Sequence, residues 1–318
     1  MATTNNITTT YAGEVAGEIV GSALLAGSTL ANGGITVKPN IKYKQVLRKI
    51  SMNDIVKDAT CDFDATSTIT QTEQTLTVEQ FDVNLQLCKD DYISDWASVE
   101  MGMSEWDELP KSVGDFIIAR VLAKVAAKVE NTIWGGVTAT DGEFDGFETL
   151  LTTNADQPAA MEIAGTTLNA GNIQAQMALV IDQIPTAIYG DPNLRLYVPL
   201  SAYKFYVQAL AGFGTGGLGA AGVNALGQTA QHDMNNLYFN GVQLFVGYGM
   251  SDDVMICTTK DNLCFGTSLE SDMNMVKVLD MEDIDLSSNV RFALRYSAAV
   301  QYVFGAEIVT YGITNGSN

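Results

Sequence analysis

Histidine is almost absent from this chain, and the sequence has few of the residues that most enzyme and metal chemistry requires. It contains one histidine, His232, and four cysteines among 318 residues. No two cysteines form a C-x-x-C pair, and a single histidine cannot complete a zinc site of the Cys/His type. A histidine acting as a general base also needs a positioned nucleophile and an orienting partner, and the sequence marks neither beside His232. We therefore predict no enzyme: no catalytic residue, no cofactor and no metal site.

Charged residues are also scarce, and most of them are acidic. They make up 17 % of the chain, and 37 acidic against 17 basic residues give a formal net charge of -20. Tight binding to a nucleic-acid backbone requires clustered Lys and Arg, so the average surface of this protein should contact nucleic acid only weakly. Apolar residues make up 47 %, and 318 residues can bury a large core in one elaborate domain or two smaller ones.

The chain lacks the marks of a secretion signal or a membrane span. The uncharged stretch 19–37 is preceded by Glu14 and Glu18 but by no Lys or Arg, so the positive region that opens a signal peptide is missing. Its many Gly, Ser, Thr and Asn residues also make a poor membrane span. We predict a soluble cytoplasmic protein with no membrane partner, whose unpaired cysteines are small buried hydrophobic side chains in a reducing compartment. These cysteines are Cys61, Cys88, Cys257 and Cys264.

A long alternating pattern near the C-terminus predicts the central strand of a sheet. Every second residue from Val290 to Ile308 is apolar, whereas the other parity holds Arg291, Arg295 and Glu307. Strict alternation is typical of a strand with one buried face, because successive side chains leave opposite faces. A strand of this length would reach roughly 60 Å at about 3.3 Å per residue. The alternative is two ordinary strands joined by a bend near residues 298–299.

The clearest helix signal runs from Lys111 to Trp134. Its apolar residues recur at four-residue steps, at Val113, Ile117, Val121, Val125 and Val129. Pro110 stands before the first turn and Gly135-Gly136 after the last, and these are the expected start and stop signals. We predict one long core helix of roughly 36 Å.

Basic residues cluster in the segment that precedes this helix. Six of the seventeen Lys and Arg residues fall between positions 38 and 57. Strand patterns predict one long, bent, two-stranded hairpin over 41–88, with a bulge or bend where the apolar parity slips between Val78 and Phe81. In its first strand we place Ile41, Tyr43 and Leu47 on one face and Lys42, Lys44 and Arg48 on the other.

This basic strand is the candidate functional site. In a strongly acidic protein, a projecting basic strand is suited to hold an acidic neighbour. We predict inter-subunit contacts from Lys42, Lys44, Arg48 and Lys49. The alternative is a solvated edge strand whose charges protect it from aggregation.

The remaining patterns predict an α/β segment. Helices are expected over 172–184 and 201–210, and strands over 194–198, 237–250, 254–259 and 263–269, with a flexible glycine-rich loop over 211–231. The acidic cluster at 280–285 is interpreted as charged surface.

Two motifs in this region match known binding patterns only in part. Gly214-x-Gly216-x-x-Gly219 has the letters of a dinucleotide-binding loop, but it follows a helix rather than a strand. The run from Asp141 to Gly146 resembles the start of a calcium loop, but Thr152 stands at the twelfth position, where a bidentate Glu is required. We interpret the first as a mobile loop and the second as a solvated turn. A calcium- or nucleotide-binding enzyme is the disfavoured alternative from another class.

The order of these elements resembles the major capsid protein of tailed bacteriophages, the Hong Kong 97-like fold, over about residues 30–312. The hairpin Ile41–Leu87 is similar to the extended E-loop of that family, and the helix Lys111–Trp134 is similar to its spine helix. The stretches Tyr238–Met250 and Thr259–Leu269 resemble its axial domain leading into the C-terminal strands. The resemblance implies an α+β fold with an N-terminal arm, an extended β-hairpin (E-loop), a long spine helix, and peripheral (P) and axial (A) domains.

The same resemblance implies a domain division. It comprises an N-terminal arm over 1–37, the E-loop hairpin over 38–90, a P domain over 91–165 containing the spine helix 111–134, an A domain over 166–285, and a long C-terminal strand over 286–318 that returns to the P domain.

The function implied by the resemblance is structural. Copies would assemble as pentamers and hexamers into an icosahedral shell, the virion capsid, around packaged double-stranded DNA that they contact only weakly. Assembly would take place in the host cytoplasm. No scaffolding segment is visible in the sequence, so the resemblance implies a separate scaffold protein or, alternatively, an assembly driven by the N-terminal arm. A portal is implied as a further partner. The alternative is an encapsulin, a cellular nanocompartment shell protein with the same fold.

Overall fold

The fold combines helices with two sheets and a separate two-stranded hairpin. A computed structural model describes residues 28–52, 56, 58–59, 61, 68–88, 111–210, 237–268 and 276–316. The glycine-rich loop with its Gly214 motif, His232 and most of the N-terminal arm lie outside the described residues.

The elements follow one another in a mixed order. The helices are α1 (Ser28–Ala31), α2 (Lys111–Gly135), α3 (Phe147–Leu151), α4 (Ile173–Asp182), α5 (Leu200–Leu210) and α6 (Glu282–Asp285). The strands are β1 (Thr36–Lys38), β2 (Lys44–Met52), β3 (Ile69–Thr77), β4 (Glu79–Cys88), β5 (Glu162–Ile163), β6 (Leu194–Pro199), β7 (Tyr238–Phe239), β8 (Val242–Gly247), β9 (Met255–Thr259), β10 (Leu263–Thr267), β11 (Lys277–Asp280), β12 (Asn289–Tyr302) and β13 (Val309–Tyr311).

The C-terminal strand β12 is the centre of the five-stranded sheet. Along one edge it pairs with β4 over its first ten residues, from Asn289 opposite Cys88 to Ala298 opposite Glu79. Along the other edge it pairs first with β11 and then with β10, and β1 lies beyond β10. The prediction of a long central strand is confirmed over the fourteen residues of β12.

The strand ends earlier than the alternating pattern does. Asn262 accepts hydrogen bonds at Oδ1 from the backbone N–H groups of Val303 and Phe304, and its Nδ2 donates to the carbonyl of Phe304. These backbone groups are therefore taken from the ladder, and the chain continues through a 3-10 turn at Gly305–Glu307 into β13, which belongs to the other sheet. The prediction of one strand to Ile308 was wrong, and so was the alternative bend at residues 298–299.

The predicted two-stranded hairpin over 41–88 is two separate structures. Only β2 and β3 pair as a hairpin, in antiparallel register from Lys44 opposite Thr77 to Met52 opposite Ile69. After Val78 the chain enters β4, which pairs with β12 instead. The parity slip between Val78 and Phe81 therefore marks a change of sheet, because the two strands must present their apolar residues to different cores.

Helix α2 is the core support that its pattern predicts. Val125, Val129, Ile133 and Trp134 are buried against the five-stranded sheet in the largest apolar cluster. The Trp134 ring lies 5.6 Å from that of Phe147 and 5.3 Å from that of Tyr197, centroid to centroid. The helix is therefore fixed at its C-terminal end by aromatic packing as well as along its apolar face.

The six-stranded sheet carries a second apolar cluster with α4 and α5. Its strand order is β5-β13-β9-β6-β8-β7, and the cluster includes Met177, Leu196 and Leu244. The prediction of a strand over 237–250 was wrong because this segment contains a hairpin. Asn240 and Gly241 have φ of 46° and 80° and form a two-residue turn between β7 and β8.

Candidate functional site

The base of the β2–β3 hairpin is attached to the rest of the chain by one small apolar cluster and by polar contacts. Leu47 and Leu76 are buried with Ile41, Val78, Cys264 and Ala299. Gln301 donates from Nε2 to the carbonyl of Thr75 over 3.2 Å. Lys49 forms an ion pair with Asp156. These contacts all involve one face of the hairpin, so the opposite face is left to solvent.

The strand register defines this outer hairpin face. It consists of Lys44, Val46, Arg48, Ile50 and Met52 of β2 with Ile69, Gln71, Glu73, Thr75 and Thr77 of β3. Its four large apolar side chains, Val46, Ile50, Met52 and Ile69, are 47 to 60 % exposed. Ile50, Met52 and Ile69 are neighbours at one end of this face, and exposed apolar groups of this kind mark interaction sites.

The predicted contact residues fall on different sides of the hairpin. Lys42 is exposed just before β2, and Lys44 and Arg48 lie on the outer hairpin face. Lys49 lies on the inner side and is engaged with Asp156 of its own chain. The predicted apolar face was wrong at Tyr43, which is 67 % exposed.

Sequence reasoning missed the apolar part of this surface. Val46, Ile50 and Met52 have the same parity as Lys44 and Arg48, so their presence on the basic face could have been inferred from alternation alone. Across the ladder Arg48 lies opposite Glu73. The outer hairpin face is therefore apolar with a mixed-charge centre rather than uniformly basic.

A buried carboxylate holds the segment that leads into the hairpin. Glu130 of α2 accepts at Oε2 from the backbone N–H of Thr29 over 3.0 Å and at Oε1 from the Thr29 hydroxyl, which in turn accepts from Trp134 Nε1 over 3.0 Å. The carbonyls of Gly33 and Gly34, a few residues after Thr29, also accept side-chain hydrogen bonds. Arg195 Nη1 donates to the Gly33 carbonyl over 2.8 Å, and Tyr197 Oη donates to the Gly34 carbonyl over 2.6 Å.

Burial raises the pKa of Glu130 above its ordinary value, and the hydrogen bonds from Thr29, Tyr248 and Trp134 only partly offset it. A carboxyl group with a raised folded-state pKa favours folding most at low pH, and this contribution is lost as the pH rises through the raised pKa. Glu130→Gln is neutral at every pH, so we expect its melting temperature to gain on that of the wild type as the pH rises above about 4, the ordinary range of a glutamate. Melting curves of both proteins over a series of pH values check the trend.

The carboxylates of the calcium-like motif are used within the turn itself. Glu143 forms an ion pair with Lys128 and accepts from the backbone N–H of Val137, and Asp145 accepts from that of Thr138 over 2.8 Å. Among the described residues, no group of three or more His, Cys, Asp or Glu side chains is arranged to hold a metal ion.

No described helix combines the length and apolar character that crossing a membrane requires. Cys257 and Cys264 are buried as predicted, but the prediction was wrong for Cys61, which is exposed, and for Cys88, which is only half-buried.

Solved structures with the same arrangement are capsid chains. This chain aligns with the capsid of an empty GTA particle with a TM-score of 0.59 and 12 % identity, covering 92 % of this chain and 91 % of that one. The chain therefore has the Hong Kong 97-like fold of tailed-phage capsid proteins. It also aligns with the capsid of Myoviridae phage XM1 (TM-score 0.56, 13 % identity, 92 % and 95 % covered) and with a chain of Mycobacterium phage Ogopogo (TM-score 0.58, 11 % identity, 92 % and 94 % covered). No protein-family model and no curated protein matches the sequence.

With this fold, the predicted α+β class is confirmed. The two sheets and the long helix α2 are the shared scaffold, and the β2–β3 hairpin is the part that projects from it with an unpartnered face. The candidate site is therefore a surface suited to another macromolecule rather than a pocket suited to a small substrate.

Proposed function

We propose that this chain is a major capsid protein that self-assembles, as pentamers and hexamers, into an icosahedral shell enclosing packaged double-stranded DNA. The observation that carries the proposal is the capsid fold, which extends over more than nine-tenths of the chain and of its structural neighbours. The exposed apolar residues of the outer hairpin face support it, because a protein that functions alone rarely leaves such a surface in water.

The partners and the location belong to the same proposal. A shell protein acts in the virion capsid and is assembled in the host cytoplasm, together with a separate scaffold protein and a portal. The net charge of -20 supports a lumen that repels DNA and contacts it only weakly. The predicted domain division belongs to the same proposal.

Within the shell, the outer hairpin face lies against an adjacent subunit. Lys42, Lys44 and Arg48 are exposed and free to meet an acidic neighbour, whereas Lys49 already pairs with Asp156. Each copy of a shell repeats the contact, so a modest attraction per subunit becomes a large total.

Electron microscopy of the purified full-length chain tests the proposed function. We expect uniform hollow shells or ring-shaped capsomers in negative stain, and a matching fast-sedimenting species in velocity sedimentation. A chain that remains a monomer at all concentrations, with or without a scaffold protein from the same source, contradicts the proposal.

Reversing the charges on the outer hairpin face should impair assembly. In Lys44→Glu/Arg48→Glu the attraction to an acidic neighbour becomes repulsion, which can cost several kcal/mol per contact. We expect normal circular dichroism but a shift towards free subunits or capsomers in sedimentation.

The control for this variant is a charge exchange within the hairpin. Arg48→Glu alone places two carboxylates opposite each other at Glu73, whereas Arg48→Glu/Glu73→Arg restores the cross-strand pair and the net charge. If only this cross-strand pairing matters, the exchange assembles normally and Lys44→Glu/Arg48→Glu is impaired, whereas if Arg48 itself holds an acidic neighbour, the exchange is impaired as well. Wild-type shells from Lys44→Glu/Arg48→Glu would show that these two cations hold no neighbour.

A further inference from the structure

A second exposed apolar group lies at one corner of the five-stranded sheet, where β11 passes through α6 into β12. Val278, Leu279, Ile284 and Leu286 are 46 to 84 % exposed, with Leu286 the most exposed of them. Leu286 also has a φ of 58°, a left-handed conformation that is unfavourable for a leucine. Leu286 thus keeps a large apolar side chain exposed to water although its backbone conformation is unfavourable. We call residues 282–286 the corner knob.

The corner knob has an acidic sequence. Its five residues are Glu282, Asp283, Ile284, Asp285 and Leu286, so three of them carry a carboxylate. An apolar centre with a charged rim is the usual anatomy of a protein contact. Because the corner knob is acidic, a complementary partner surface must have an apolar floor with cations at its edge.

A surface with these properties exists on the same protein, on the outer face of the same sheet. The register places Lys277 and Leu279 of β11, Arg291, Ala293 and Arg295 of β12, and Asn84 and Gln86 of β4 on one side. These residues line a concave trough of about 1140 Å³. We call it the sheet trough.

The sheet trough gathers three cations in a chain that has few. Arg291 donates from Nε to Gln86 Oε1 over 2.9 Å, and Arg295 Nε lies 3.3 Å from Oδ1 of Asp82, the residue opposite it on β4. Leu279, about half exposed, supplies the apolar floor. The trough is therefore complementary to the corner knob in both charge and polarity.

The knob of a subunit lies at the end of the β11–β12 hairpin, beyond the strand residues that line its own trough. Along β12 four residue steps lead from Asn289 to Ala293 in the trough, which is about 13 Å at about 3.3 Å per residue. We propose that the corner knob of one subunit inserts into the sheet trough of a neighbouring copy, a contact that rests on the proposed shell function and names one of its interfaces.

This contact has a defined symmetry consequence. The knob and the trough are different patches, so each subunit donates one and accepts the other. Such a heterologous contact generates a ring when its rotation closes. The contact therefore joins subunits around an axis at this corner, separately from any contact made by the outer hairpin face.

Disulfide trapping tests the proposal in assembled particles. The variant Leu286→Cys/Ala293→Cys is made with Cys61→Ser and Cys88→Ser, since these two native cysteines are not buried. A disulfide spans at most about 7 Å between Cα atoms, and one that closed within a chain would leave that subunit monomeric on a non-reducing gel, so only a bond between copies gives larger species. We expect mild oxidation of assembled shells to convert most subunits into covalent dimers and larger rings on a non-reducing gel.

Three controls carry the same serine background. Leu286→Cys alone, Ala293→Cys alone, and Leu286→Cys with Thr138→Cys, at an exposed loop position away from the trough, should remain largely monomeric. Shells that form without selective cross-linking would overturn this contact and leave the proposed function standing. A chain that forms neither shells nor capsomers would overturn both.

A charge exchange gives an independent readout that does not depend on cysteine chemistry. Arg291→Glu/Arg295→Glu should prevent closed shells while the subunit stays folded, because the trough would then repel the knob. Adding Glu282→Lys/Asp285→Lys should restore shells. Restoration by the second pair supports the contact, whereas a loss that the second pair leaves unchanged, or no loss at all, overturns it.

Discussion

Val129→Asp is expected to abolish folding of the subunit. Val129 is 4 % exposed and lies on the face of α2 that packs against the five-stranded sheet, in the same cluster as Ile133 and Phe265. Burying a carboxylate there without a partner costs several kcal/mol, or forces the group to take up a proton. A domain has only about 5–15 kcal/mol of stability in total. We expect the variant in the insoluble fraction, or without a cooperative melt if it is recovered.

The control lies just beyond the same helix. Val137 is 41 % exposed, so Val137→Asp keeps its carboxylate in water and should change the melting temperature little. A Val129→Asp protein that is soluble and melts like the wild type would show that this face of α2 is not part of the core.

Local periodicity accounts for the parts of the fold that could be predicted. The four-residue spacing of Val125 and Val129 identifies α2, and the alternation after Val290 identifies β12, because both patterns depend only on which face is buried. The pairing of strands is different. The residues of β4 alternate equally well whether they pair with β2 or with β12, so the sequence predicted a strand but not its partner.

Where an element stops depends on residues far away in sequence. The alternation continues to Ile308, yet Asn262 takes the backbone groups of Val303 and Phe304 and ends β12 at Tyr302. Nothing near residue 303 in the sequence signals this. The Asn240-Gly241 turn, in contrast, is a strong local hairpin signal that could have divided the predicted strand over 237–250.

The candidate site shows the same limit. Alternation places Lys49 on the inner face with Leu47, but its ion-pair partner Asp156 lies more than a hundred residues away and could not be predicted. The corner knob carried a sequence signal that was passed over, since Ile284 and Leu286 stand among carboxylates, where a solvated segment has no need of large apolar side chains.

The outer hairpin face should be essential for assembly and dispensable for folding. Ile50, at its centre, is 51 % exposed, so Ile50→Asp leaves a carboxylate in water in the free subunit. We expect a nearly unchanged melting temperature, as for most surface substitutions. Against an apolar surface of a neighbour, the same carboxylate would lose its water at a cost of several kcal/mol. Because every copy in a shell repeats that cost, we expect no closed particles.

Leu47→Asp provides the opposite test on the same strand. Leu47 lies three residues earlier, faces inward, and is buried with Leu76 and Val78 at the base of the hairpin. We expect this variant to lose thermal stability in the free subunit, because its carboxylate is buried whether or not a neighbour is present. Melting curves and sedimentation of the two variants, measured side by side with Ile50→Leu, separate the two faces of the hairpin. Normal particles from Ile50→Asp would show that the outer hairpin face contacts water, not another subunit.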